Sequence, residues 1–380
     1  MAGSRTSFVG RQQELAALLA RLDAAGESRG SVMLVAGEPG IGKTRLLGEL
    51  AERAAARGWL IFSGRAYDTE GLPPYLPFSE ALRGYVRECS ADELRERLGR
   101  GAADVALLLP DVQERLPDLA PHQPLSPEHE RYRLFESVCD FVLALAQGTE
   151  SRGLLLLLDD LHWADKPSLL LLQHLARRSA GARLLTVGAY RREDLSGDHP
   201  LLAALAALRR EELGDVLALP ALAPGEAARL VAQLAGAEPA PNVAATIHGR
   251  AEGNPFFLGE IVRHLQGEDC DLADPRSTAG HWNLPEGVRE VIGRRLARLS
   301  AEAPAALHAG AVLGDGFSFA ELRETCGLTE EPLLDALDLA LAAGMLREAG
   351  TAYQFGHALI RETAYAALSL PRRERLHRRA

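Results

Sequence analysis

At 380 residues, 47% hydrophobic and 25% charged, the chain is long enough for two or three domains and too apolar to be disordered. Its formal net charge of −10 argues against a protein that coats nucleic acid through its overall field, and does not exclude a local basic patch. Cys89, Cys139, Cys270 and Cys326 are far apart with no C-x-x-C pair, which reads as reduced thiols of a cytoplasmic protein and not as metal ligands; no apolar signal segment opens the chain, and charges interrupt every leucine run before it could cross a membrane.

Phe8-Val9-Gly10-Arg11 precedes a helical stretch from Gln12 to Ala25. Ser31 to Ala36 is a short apolar run bounded by glycines and reads as a buried strand. Gly37-Glu38-Pro39-Gly40-Ile41-Gly42-Lys43-Thr44 then fits the phosphate-loop pattern G-x-x-x-x-G-K-[ST], and Thr44 to Arg57 reads as a helix. Strand, glycine loop and helix form the context the motif requires. The glycines let backbone N–H groups converge on a phosphate, and the helix start adds partial positive charge. Only two of the 42 basic residues are lysine, Lys43 and Lys166. A chain that prefers arginine keeps a lysine where a compact ammonium must fit between phosphate oxygens. Lys43 is expected on the β- and γ-phosphates and the Thr44 hydroxyl on Mg2+, with Gly37, Glu38, Pro39, Gly40, Ile41, Gly42 and Arg45 completing the nucleotide-binding segment.

Trp59 to Phe62 is a second strand candidate, residues 68–78 a Pro-rich loop, and residues 79–146 a series of helical segments ending in a helix from Arg131 to Ala146. Leu154 to Leu158, closed by Asp159-Asp160, reads as a central parallel strand. Such a strand brings Asp159 to the same sheet edge as the phosphate loop, where it is expected to hold Mg2+. Asp160 either orients or deprotonates the attacking water, or serves as a helix cap or solvated turn carboxylate. Ala182 to Gly188 is a further strand ending at Tyr190-Arg191-Arg192; an arginine there either touches the γ-phosphate or is a surface charge. Val216 to Leu219 is the last strand of a doubly wound parallel α/β domain spanning 1–220.

Beyond Pro220 the pattern turns helical. Pro224–Leu234, Pro241–Arg250 and Pro255–Leu265 form a small helical domain over 221–268, and 269–283 is a polar linker. Helices follow at Pro285–Leu299, Pro304–Leu313, Phe319–Cys326 and Glu331–Leu341. Met345–Glu348 and Ala352–Phe355 flank Ala349-Gly350-Thr351 as a hairpin, and a helix closes the segment from His357 to Leu368. That order suggests a winged-helix domain over 284–370, with 371–380 opening a further helical region. On the residues alone His357 is a helix N-terminal residue.

Phe8-Val9-Gly10-Arg11, the phosphate loop, Leu158-Asp159-Asp160-Leu161-His162-Trp163-Ala164-Asp165 and Gly253-Asn254-Pro255-Phe256-Phe257-Leu258 occur in this order. Together they resemble the ATPase core of STAND-type signal-transduction ATPases, more narrowly the Orc1-like AAA module at the N-terminus of large LuxR-type transcriptional regulators. A similar module accompanies adenylyl-cyclase-like proteins and some kinase fusions. The resemblance implies an ATP/ADP switch with slow Mg2+-dependent hydrolysis. It places Val9 and Arg11 near the adenine and ribose, Pro255 on the base, Arg191 as the sensor arginine, and His357 on the β-phosphate of bound ADP. It implies an inducer or protein partner, homo-oligomerisation in the ATP state, and DNA contact only through a C-terminal helix-turn-helix that this stretch lacks. Two other readings are a DNA-binding regulator acting through the winged helix, and the ATPase module of a cyclase-like or kinase assembly.

Overall fold

A computed structural model describes residues 7–69, 71–119, 122, 125–148, 151–195, 197–297, 299–300 and 302–380. They divide into two units, Arg11–Leu219 and residues 7–10 with 220–380.

The first unit begins with α1 (Gln12–Gly26), β1 (Ser31–Ala36), α2 (Lys43–Ala55) and β2 (Leu60–Arg65). The helices α3 (Leu76–Glu88), α4 (Ala91–Leu98), α5 (Ala102–Leu108), α6 (Asp111–Arg115) and α7 (Pro127–Ala146) follow. The unit ends with β3 (Leu154–Asp159), α8 (Lys166–Arg178), β4 (Leu184–Tyr190), α9 (Pro200–Arg210) and β5 (Gly214–Ala218). The five strands form one sheet in the order β2-β3-β4-β1-β5, and every neighbouring pair is parallel. All of β3 and β4 is buried, as expected of central strands covered on both faces. The order matters for the site: β4 lies between β1, which leads into the glycine loop, and β3, which ends in the acids. All three strands run the same way, so their C-terminal ends share one rim.

The strand β2 runs three residues past the apolar stretch that signals it, because Ser63, Gly64 and Arg65 continue the ladder against Leu157, Leu158 and Asp159. Gly64 is required there. A Cβ on it would stand 1.8 Å from the Pro77 carbonyl oxygen, at the start of α3. Gly64→Ala is therefore expected to destabilise the unit by about 2–3 kcal/mol, the range for overpacking a rigid contact. A thermal melt unchanged from the parent would refute that account.

The second unit contains α10 (Pro224–Ala235), α11 (Pro241–Ala251), α12 (Pro255–Gly267), α13 (Glu286–Leu296) and α14 (Glu302–Leu313). These are followed by β6 (Gly316–Phe317), α15 (Phe319–Cys326), α16 (Glu330–Ala342), β7 (Leu346–Ala349), β8 (Ala352–Phe355), α17 (Ala358–Ala366) and α18 (Leu370–His377). The short strands make an antiparallel sheet in the order β6-β8-β7. The polar stretch between α12 and α13 is not loose chain. Leu272 is buried in the core of this unit, and its carbonyl accepts the Ala240 N–H at 2.8 Å. Residues 7–10 join this unit because the Ser7 hydroxyl donates to Gln233 and Gly10, at φ +73°, sits against Glu226 and Leu222.

Candidate functional site

The glycine loop joins β1 to α2. Gly40 and Gly42 have φ of +78° and +102°, the left-handed region that favours glycine, and a Cβ on Gly42 would meet nothing within 4 Å. Gly42 is also the N-cap of α2 and supplies no side chain to the first-turn amides. The loop is thus an open cradle of backbone donors at a helix start. Lys43 folds back across it, its ammonium donating to the carbonyl oxygens of Gly37 at 2.6 Å and Glu38 at 2.8 Å. Burial, reinforced by Arg191, brings that ammonium down to about 8 from the usual lysine range. Arg11, buried at the N-cap of α1, donates to the Ile41 carbonyl at 3.2 Å and pairs with Glu14.

Across the rim, the Thr44 hydroxyl donates to Asp159 Oδ2 at 2.7 Å, and Asp159 Oδ1 accepts the Asp160 N–H at 2.9 Å. Asp160 leaves the strand at φ +53°. Its side chain caps no helix; Arg65 grips Oδ2, with Nε at 2.7 Å and Nη2 also bonded. Of the two arginines after β4, the structure brings Arg191 to the acids, 4.0 Å from Asp160 and 3.5 Å from Asp194, whereas Arg192 lies beside the Tyr190 hydroxyl.

Sequence reasoning missed Arg65, His162 and Asp194. Arg65 stands in register with Asp159 on the neighbouring strand, a pairing the sequence does not signal. His162 comes in through a short 3-10 turn, Leu161–Trp163. Gly188 on β4 leaves the space in which Leu161 seats, since a Cβ there would be 2.4 Å from Leu161 Cδ1. Asp165 ends the segment as the N-cap of α8, accepting the Ser168 N–H at 3.2 Å and the Tyr75 N–H at 3.3 Å. Lys166 stands at the first position of α8, a helix start with no site role.

The second unit places its own predicted residues at helix ends. Gly253 at φ +73° turns the chain after α11, Asn254 caps α12 by accepting the Phe256 N–H at 3.1 Å, and Pro255 occupies the first position of α12. His357 is the N-cap of α17. Its Nδ1 accepts the Leu359 N–H at 3.0 Å, and its Nε2 donates to the Ala251 carbonyl at 3.0 Å. Both ring nitrogens are thus engaged within this unit. Val9 is half-buried.

The residues fit a magnesium nucleotide. A hydroxyl and a carboxylate 2.7 Å apart suit a hard cation that keeps waters and phosphate oxygens as its other ligands. Among the described residues no group of three or more His, Cys, Asp or Glu is set to hold a metal, so the phosphates would have to share the cation. The desolvated Lys43 ammonium gains from an anion beside it.

Residues 7–187, somewhat less than half of the chain, match the AAA ATPase domain family. An uncharacterized protein of Rhizobium meliloti (strain 1021) is 29% identical over 398 aligned positions that cover 98% of this chain; the chain spans only 36% of that protein's length. Among solved structures, a Walker-type ATPase of Pyrococcus abyssi has a TM-score of 0.58 at 14% identity, covering 95% of this chain and 97% of the other. A signal-transduction ATPase with numerous domains, carrying a tetratricopeptide repeat sensor, from Pyrococcus horikoshii has a TM-score of 0.39 at 15% identity, covering 96% of this chain and 43% of that one. Residues 7–187 are thus similar to an AAA ATPase domain, and the first unit has the parallel-sheet phosphate-loop fold. Among the described residues no helix is long and apolar enough to cross a membrane.

Proposed function

We propose that this chain is the nucleotide switch of a STAND-type regulator of the LuxR kind, exchanging ADP for ATP and hydrolysing slowly with Mg2+. The observation that carries the reading is the Thr44–Asp159 pair at 2.7 Å, opposite a lysine curled over a glycine cradle. In this proposal Thr44 and Asp159 hold the cation, which neutralises phosphate charge. Lys43 leaves the carbonyls of Gly37 and Glu38 for the β- and γ-phosphates, Asp160 directs the water, and Arg191 reads the γ-phosphate. Arg11 already touches the loop through Ile41, which supports its place beside the ribose. Val9 and Pro255 on the base, Arg45 at the helix start, and His357 on the β-phosphate complete the proposed ADP state. The order helix, strand, two helices and hairpin from α14 to β8 supports a winged-helix reading of 284–370, with α10–α12 as a small helical domain. Oligomerisation in the ATP state, an inducer or protein partner, and a cytoplasmic setting belong to the same proposal.

Reversing a 1:99 equilibrium takes about 5.5 kcal/mol of differential affinity. Charge-assisted hydrogen bonds contribute about 1.5–3 kcal/mol each, so two or three state-specific contacts suffice. The test is direct. Isolated protein should bind ADP and ATP at micromolar or better affinity with Mg2+ and change its sedimentation between the two; absence of nucleotide binding refutes the switch. His357→Ala should release ADP about tenfold faster. The same change removes a helix cap worth about 1 kcal/mol, so His357→Asn, which keeps a capping group, serves as the control. An off-rate equal to that of the parent would reject the phosphate contact.

A further inference from the structure

We propose that His162 and Asp194 are a positioning pair, which holds Asp160 in place when Arg191 turns to the terminal phosphate; this rests on the nucleotide switch proposed above. The His162 ring has no exposed surface, yet neither ring nitrogen has a hydrogen-bond partner among the described residues. The same is true of Asp194 Oδ2. Buried polar groups in native proteins are almost always bonded, so a cluster of unsatisfied ones at a site marks groups that find partners in another state.

The geometry names those partners. His162 Nε2 is 3.3 Å from Asp194 Oδ2 and 3.8 Å from Asp160 Oδ1, close but not aligned for a bond. Arg191 approaches the same two oxygens, at 3.5 Å and 4.0 Å. Imidazole and guanidinium thus face one pair of carboxylate oxygens, while Arg65 holds the other oxygen of Asp160. If Arg191 leaves for a γ-phosphate, His162 remains in place facing both carboxylates. With Arg191 beside it, burial and that guanidinium push the imidazole down to about 3, so in this state it is neutral; with Arg191 gone, a neutral or charged ring alike has an N–H to give. Placing that proton on Nε2, between two carboxylates, is the electrostatically favoured tautomer. The ring is held in place: Trp163 packs against it at 4.9 Å, and His199 Nε2 donates to the His162 carbonyl at 3.0 Å. A contact that forms only when Arg191 has moved acts on the hydrolytic state and not on ADP binding.

The experiment compares the 380-residue chain with His162→Leu, His162→Gln and Asp194→Asn. It measures Mg2+-dependent affinity for ADP and for ADP with aluminium fluoride, together with kcat and KM. ADP affinity is expected to stay within about twofold of the parent. His162→Leu should weaken the fluoride complex by about ten- to hundredfold relative to ADP and lower kcat similarly at unchanged KM. His162→Gln, which carries an N–H near the Nε2 position, should recover part of that loss, and Asp194→Asn should fall between. If His162→Leu binds the fluoride complex like the parent, or loses ADP and the fluoride complex equally, the pair is only structural and the proposal fails. Should His162→Leu not fold, the proposal stands or falls on Asp194→Asn, which must weaken the fluoride complex selectively. A parent protein that binds neither ligand overturns the switch reading itself, a result distinct from the others.

Discussion

Lys43→Ala should abolish measurable nucleotide binding at micromolar protein. The ammonium now serves two carbonyl oxygens of the glycine loop, at 2.6 Å and 2.8 Å, and two phosphates would take their place. Losing two charge-assisted bonds costs about 3–6 kcal/mol, roughly a hundred- to ten-thousandfold in affinity. Titration calorimetry with ADP checks it, and retained micromolar binding would remove the phosphate site from this account. The same lysine gives a pH signature. Its ammonium is lowered to about 8 in the free site, and phosphates beside it must raise that value. Affinity should therefore be level below pH 8 and fall as pH rises above it, because a neutral lysine must first take up a proton. At pH 8.5 binding should draw a proton from the buffer, seen as a buffer-dependent heat; at pH 7.5 that uptake should be much smaller.

Asp159→Ala should remove Mg2+-dependent hydrolysis while leaving ADP affinity without metal within a few-fold. Asp159 accepts the Thr44 hydroxyl with one oxygen and the Asp160 N–H with the other. Its loss therefore strips the cation of a ligand and loosens the group that directs water. A drop in kcat of about a hundred- to thousandfold is expected, as for removal of a preorganised electrostatic contact. Asp159→Asn keeps the shape and loses the charge, so it separates metal binding from packing. If Mg2+ tightens ATP equally in parent and variant, the cation is held elsewhere.

How much of this was legible beforehand depends on the element. The run Ser31–Ala36 reads as a strand at its observed bounds, because a short buried apolar stretch between glycines has few other folds. Asp159 was legible for a related reason, since an acid closing a leucine run falls at a sheet edge. The strand β2 was read too short, because Ser63 and Gly64 look like a break when the neighbour that pairs with them is unknown. Arg65 was missed with them. In an arginine-rich chain its type carries no signal, and only its register opposite Asp159 gives it meaning.

The sequence by itself determined the glycine loop with its lysine and threonine, the acidic strand end, and the alternation that makes a parallel sheet. These are local patterns, set by backbone geometry and by the burial of short apolar runs. Only the tertiary structure decided that β4 lies between β1 and β3, which brings its C-terminal end, with Arg191, beside the acids. It also decided that Arg65 closes on Asp160, and that His162 is buried beside Asp194 without a bond. Those pairings join residues from different strands and loops, and a chain fixes them only when packing of the whole sheet sets which ends meet.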